Sequence, residues 1–203
     1  MSSIYGEYEA YLPRVLDMLR EELEEYDDKV FGETAEHIFE HLTARIKSDE
    51  SMREKCRRRE LPETAQSALR ELQDAIGLRI VCAFRDDIYE IISYIRSLPN
   101  ITIVEEKDYI RHSKPNGYRS YHMILLVETD FPDIDGNTKG KYYAEVQLRT
   151  IAMDSWASLE HKMSYKKDIM SPELIMEELK RCADELAACD VSMETIRKLI
   201  RSS

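Results

Sequence analysis

No stretch of this sequence stays apolar for the roughly 20 residues that a membrane-spanning helix needs. The opening residues, MSSIYGEYEAYLPRV, carry neither the basic region nor the apolar core of a secretory leader, so a cytosolic location is expected. A P-loop and a dinucleotide fingerprint are both missing, as is any serine–histidine–acid arrangement that would argue for hydrolysis. Cysteine is sparse. Cys56, Cys82, Cys182 and Cys189 match no structural zinc spacing, and Cys182 and Cys189, seven apart in a helical stretch, are expected to be core thiols. Positive charge is in deficit, with a formal net charge of -11 at pH 7. That balance excludes broad adhesion to nucleic acid or anionic membrane, but it leaves a local basic pocket possible. Internal repeats and low-complexity linkers are absent.

What remains is the composition of a globular protein, 43% hydrophobic and 34% charged over 203 residues. Residues 7–28 repeat apolar side chains at three and four, with acidic residues opposite, which predicts a helix whose first turn Pro13 resets. Further helices are expected over residues 34–42, from about 48 to 61, and over 64–72. The pattern then changes. Residues 75–84, AIGLRIVCAF, read as a central strand, and strands are also expected at ITIVEEKDYI, at YHMILLV and at KYYAEVQL. Between them lies a helix, DIYEIISYIRSL, with Asp86 and Asp87 as its expected caps. SWASLEHKM and the residues from Pro172 onward complete the helices. In the last one, Leu179, Cys182, Leu186, Cys189, Met193 and Ile196 form an expected packing seam, within the chain or between copies. The fold class is α+β.

Three places could carry chemistry. Residues 45–59, RIKSDESMREKCRRR, hold seven Arg or Lys in an otherwise acidic chain. Arg45 and Lys47 share a side if extended, and Ser51, Lys55 and Arg58 share a helical face. A solvated basic helix, a phosphate cradle and an RNA contact all satisfy this pattern. In YYAEVQLRT, alternation sends Tyr142, Ala144, Val146 and Leu148 one way, and Tyr143, Glu145, Gln147 and Arg149 the other. The second row is an ordinary half-solvated face or, with Asp74 just before the central strand and Arg79 within it, a site for Mg2+ and phosphates. In KPNGYRSYH, a tight turn delivers Tyr118 between Lys114 and Arg119 at a strand edge. An ordinary exposed hairpin and a platform for a base and its phosphates both fit this stretch. His122 reads as a hydrogen-bonded core histidine, and His161 as a phosphate contact or a residue that orients its helix.

Taken in order, RIKSDESMREKCRRR, DAIGLRIVC, KPNGYRSYHMI, AEVQLRT and MDSWASLEHKMSYK resemble the synthetase domain of RelA/SpoT-related proteins, and more narrowly their single-domain small alarmone synthetases. DAIG and SYH depart from the commoner spellings DIAG and SLH. The resemblance implies a nucleotidyltransferase-like mixed β-sheet flanked by helices. It implies one domain over residues 1–203, with catalytic motifs over 45–166 and helical extensions over 1–43 and 172–201. The implied activity is transfer of the β,γ-diphosphate of ATP to the 3'-hydroxyl of GDP or GTP, giving ppGpp or pppGpp and AMP. Arg45, Lys47, Ser51, Lys55, Arg58 and Arg79 would then face ATP. Asp74 and Glu145 would serve as catalytic groups and hold Mg2+. Lys114, Asn116, Tyr118, Gln147 and His161 would line the GDP or GTP side. A homo-oligomer, specifically a homotetramer, follows from the same resemblance, while the acidic N-terminal helices argue against the regulation by RNA or pppGpp known in part of the family. Two alternatives are a toxin-type relative acting on the 3' end of tRNA and an inactive nucleotide- or RNA-binding regulator.

Overall fold

Alternating short apolar and polar positions build the centre of the molecule. In the computed structural model, which describes residues 3–164 and 171–202, five strands form one sheet. They are β1 (His41–Ile46), β2 (Ile76–Cys82), β3 (Ile101–Asp108), β4 (Tyr121–Glu128) and β5 (Lys141–Thr150), in the order β1-β2-β5-β4-β3. β2 and β5 run parallel, and every other neighbouring pair is antiparallel, so the sheet is mixed. Helices α1 (Leu12–Thr34), α2 (Asp49–Arg58), α3 (Arg85–Ser97), α4 (Ile151–Ser164) and α5 (Pro172–Arg201) flank it. The last two residues of the motif MDSWASLEHKMSYK lie outside the described residues.

One sheet face is the core. Leu78 and Ile80 of β2, Met123 and Leu125 of β4, and Tyr142, Ala144, Val146 and Leu148 of β5 are all buried, together with Leu12, Val15, Leu19 and Leu23 of α1 and Ile88, Ile91, Ile92 and Ile95 of α3. The other face carries charged or polar side chains on every strand, alongside the half-buried Ile124 and Leu126 of β4. Register sets Thr43 opposite Arg79 and Arg45 opposite Gly77, Arg79 beside Gln147, His122 opposite Gln147, and Lys107 opposite His122. Because successive side chains alternate, burying one face fixes the other.

Three expectations need correction. Residues 34–42 are not a helix. α1 runs on to Thr34 and stops at Ala35, which takes a left-handed φ of 59°. Ile38 then turns into the core, its N–H donating to the buried Asp27 carboxylate at 2.7 Å, and β1 begins at His41. Leu42, Ala44 and Ile46 face inward at period two, which a helix could not arrange. The helical part of the expected N-terminal extension therefore ends before β1. Asp86 and Asp87 do not cap α3, whose N-cap is Phe84. They sit in its first turn and pair with α5, Asp87 with Arg197 at 2.5 Å and Asp86 with Lys198 at 2.9 Å.

The inward face of α5 also differs from the seam expected. Leu179, Ala183, Leu186, Asp190 and Glu194 face the body, while Cys182 and Cys189 are exposed and Met193 and Ile196 stay about half exposed, at 53% and 50%. Particular partners select this face. The Trp156 indole N–H donates to the Leu179 carbonyl at 2.8 Å, the Thr150 hydroxyl donates to Asp190 at 2.7 Å, and Arg85 reaches Glu194 at 3.1 Å. Gly117 has φ +90°, and a Cβ there would stand 2.6 Å from the Ala183 Cβ. The hairpin before β4 therefore rests directly on α5.

Candidate active site

The polar sheet face becomes a site where α2 and the segment before β2 close over it. Ser48 caps α2 by accepting the Ser51 N–H at 3.3 Å, and the Lys47 N–H donates to the Ala75 carbonyl at 2.9 Å. These bonds bring Lys47 and Lys55 onto one oxygen of Asp74. Lys55 Nζ lies 2.6 Å from Asp74 Oδ2, and Lys47 Nζ donates to the same atom. Burial opposes the Asp74 charge, but the two lysines outweigh it and hold the carboxyl below its ordinary range. Its other oxygen, Oδ1, is buried without a hydrogen-bond partner.

Glu145 projects from β5 into the same region. Burial again works against its charge. Bonding and charge from His122 and a hydrogen bond from Gln147 prevail over it, so this carboxyl too is held low even though Asp74 is close enough to push it up. Two cavities meet at the pair. One, of about 500 Å³, is lined by Lys55, Arg59, Glu105, Lys107 and His122 as well as by both acids. The other, of about 180 Å³, adds Thr43, Arg45, Lys47, Arg79 and Gln147 to them. Two spaces divided by two carboxylates suit a reaction between two bound molecules.

Tyr118 stands on the β4 side. The turn that carries it is closed by Gly117 N–H to the Lys114 carbonyl at 2.8 Å, and Asn116 Oδ1 accepts the Tyr118 N–H at 3.1 Å. Asn116 thus shapes the turn. The Lys114 ammonium sits 4.8 Å from the centroids of both the Tyr109 and the Tyr118 rings. The Tyr118 hydroxyl lies 2.8 Å from His122 Nε2 and accepts from Arg149 at 3.0 Å. Arg149 also donates to Gln147 Oε1 at 3.1 Å and to Asp154 at 2.9 Å, and Asp154 lies 3.4 Å from Arg79. Asp154 therefore ties the Arg79 cavity to the Tyr118 hairpin.

The structure brings Arg45, Lys47, Lys55, Asp74, Arg79, Glu145 and Gln147 to one place. Ser51 and Arg58 lie on the exposed side of α2, and His161 on the exposed last turn of α4; none of the three lines either cavity. Sequence reasoning missed Arg59, Lys107, Asp154 and above all His122. The signal for His122 was strand parity, since it alternates out of phase with the buried Tyr121, Met123 and Leu125.

Residues 44–170 match the model of the region found in RelA/SpoT proteins. GTP pyrophosphokinase YwaC of Bacillus subtilis is 39% identical over 159 residues, covering 78% of this chain and 74% of that protein. GTP pyrophosphokinase YjbM of the same organism is 35% identical over 158 residues, covering 78% and 72%. Among solved structures, small alarmone synthetase 1 of Bacillus subtilis bound to its product pppGpp superposes with a TM-score of 0.75 at 30% identity, covering 95% of this chain and 94% of that one. Small alarmone synthetase 2 of Bacillus subtilis superposes at 0.79 and 34% identity, covering 93% and 95%. With an α+β mixed sheet, a polar face divided by two carboxylates and these relatives, the chain belongs to the RelA/SpoT family.

Proposed function

We propose that this protein is a GTP pyrophosphokinase that moves the β,γ-diphosphate of ATP to the 3'-hydroxyl of GDP or GTP, giving ppGpp or pppGpp and AMP. The observation that carries the reading is the pair of cavities sharing Asp74 and Glu145. On this reading ATP occupies the side of Arg45, Lys47 and Arg79. The acceptor occupies the side of His122, its base against Tyr118, where an aromatic ring and flanking cations offer stacking and charge. Lys47 and Lys55 turn from Asp74 to the triphosphate. Ser51 and Arg58, on the exposed side of α2, are assigned to the outer phosphates, and Lys114, Asn116 and His161 to the acceptor.

Asp74 and Glu145 fit Mg2+: they supply hard oxygens, one of which has no partner, and among the described residues no cluster of three His, Cys, Asp or Glu side chains offers a closed protein cage. A two-carboxylate site completed by phosphate and water is the usual Mg2+ arrangement. When bound, the cation neutralises charge on the transferring diphosphate. Glu145, ionised at neutral pH, takes the proton of the 3'-hydroxyl as that oxygen forms a bond to the β-phosphorus. The bond from the β-phosphorus to the bridging oxygen of AMP breaks, and AMP leaves with the electron pair. Positioning and charge neutralisation carry the rate.

The chain acts as one catalytic unit in the cytosol, and we read it as a homo-oligomer, specifically a tetramer. Support comes from α5, where Met193, Ile196 and Ile200 leave an apolar face exposed that closed symmetry would bury. Among the described residues no helix is long and apolar enough to cross a membrane. Incubation with ATP, Mg2+ and GDP or GTP, followed by nucleotide separation, tests the activity. AMP and a more highly phosphorylated guanosine nucleotide are expected in equal amounts; neither appearing, with both substrates bound, refutes it.

A further inference from the structure

Tyr118 reaches the centre of the site through its hydroxyl as well as its ring. That oxygen accepts an N–H from Arg149 at 3.0 Å and lies 2.8 Å from His122 Nε2, to which its own proton can be donated. When Nε2 accepts that proton in a hydrogen bond it carries no hydrogen of its own, and a neutral ring then has its proton on Nδ1. Nδ1 lies 3.4 Å from Glu145 Oε1. The His122 ring is itself held edge-on by Tyr109 at 5.4 Å and 88°, and by Tyr118 at 5.9 Å and 71°. Arg149 in turn is fixed by Asp154 and Gln147.

Resting on the function proposed above, we infer that the Tyr118 hydroxyl is a positioning group: it locks His122 in the Nδ1–H tautomer, which aims the Glu145 carboxylate at the acceptor hydroxyl. Base stacking needs only the ring. The hydroxyl therefore has a separate task, and occupation of the Tyr118 platform is linked to the orientation of the catalytic acid through one histidine. Partners that orient a metal-ligating side chain from one bond away commonly contribute 10- to 100-fold in metal affinity or activity, and Glu145 is one of the two groups proposed to hold Mg2+.

The test compares the unmodified protein with Tyr118→Phe, which keeps the ring. Long-range proton–nitrogen NMR reads the tautomer directly, with the His122 signals identified by their loss in His122→Gln. The unmodified protein is expected to show Nδ1–H, Tyr118→Phe a shift toward Nε2–H, and kcat is expected to fall about 10-fold while KM for GDP or GTP stays within about twofold. Tyr118→Leu, which removes ring and hydroxyl together, is expected to raise that KM as well as lower kcat. An Nε2–H ring or an imidazolium in the unmodified protein at neutral pH overturns the inference. So does an unchanged kcat in Tyr118→Phe. The NMR arm needs no turnover, so a protein with the stated tautomer but no synthetase activity would refute the proposed function and leave the hydrogen-bond chain standing.

Discussion

The two halves of the site are held in place by different forces. The half around Arg45, Lys47 and Lys55 is local: a strand end, a capped helix and one half-buried carboxylate lie close together, and charge pairs them. The half around Tyr118 is remote. Its turn is short, but its position depends on α5, more than 60 residues further along the chain, through Gly117 against Ala183, Arg119 to Asp184 at 2.9 Å, and Trp156 to Leu179. Ion pairs that a phosphate can replace suit a side that must open to a charged donor. Packing against a helix suits a platform that must stay put while a base lands on it.

The sharpest way to break the comparison is to disable what both halves share. Glu145→Gln should lose roughly 10²-fold or more in turnover, since a principal catalytic group goes while its size stays. Its folding stability should change little, as the amide can still bond with His122; a denaturant midpoint reads this alongside the rate. Next comes an attack on one half only. Gly117→Ala places a Cβ 2.6 Å from the Ala183 Cβ and 3.1 Å from the Lys180 Cα, at a φ that disfavours alanine. KM for the guanosine nucleotide should rise about 10-fold as the platform shifts, with KM for ATP within about twofold. Equal rises in both would show that the two halves are not separable.

Asp74→Asn sharpens the electrostatic side. The amide leaves two partly buried lysines without their acid, so stability without nucleotide should drop by about 1–3 kcal/mol, as well as turnover falling. A pH series distinguishes this from simple misfolding. Asp74 is held below its ordinary range in the folded state, so its contribution is full above the unfolded carboxyl value, near 4, and fades as pH falls through the lower folded value. The stability gap between the unmodified protein and Asp74→Asn, measured by urea unfolding from pH 7 down to pH 3, should therefore shrink on acidification. A gap that stays constant would contradict the charge pairing.

How much of this was legible beforehand follows the same divide. In the local half α2 was readable, since a basic helix opened by Ser48 announces itself in adjacent residues. β1 was not, because HLTARI is too short for its alternation to stand out from a helix with scattered apolar residues; only the pairing with β2 decides it. The face of α5 was also hidden. Steps of three and four marked Cys182 and Cys189, but the face that packs is chosen by Trp156, Thr150 and Arg85, all distant in sequence. His122 was read as core because its neighbours are apolar, although parity puts it on the polar side.

The smallest expected effect concerns that outward face of α5. Ile196→Glu should alter the stability of a single chain by less than about 0.5 kcal/mol, as exposed substitutions generally do. Light scattering should show its mass falling from an oligomer toward about 24 kDa. A mass already near that value in the unmodified protein would reject the oligomer.

The central claim is that Asp74 and Glu145, at the junction of two cavities, carry a diphosphate intact from one nucleotide to the other. Phosphorus-31 NMR of a reaction with ATP, Mg2+ and GDP follows it most directly. A new diphosphate signal at the 3' position is expected to grow in step with AMP, with neither signal in Glu145→Gln over the same interval. Release of free phosphate or pyrophosphate without a 3'-diphosphate, or undiminished product formation by Glu145→Gln, would contradict it.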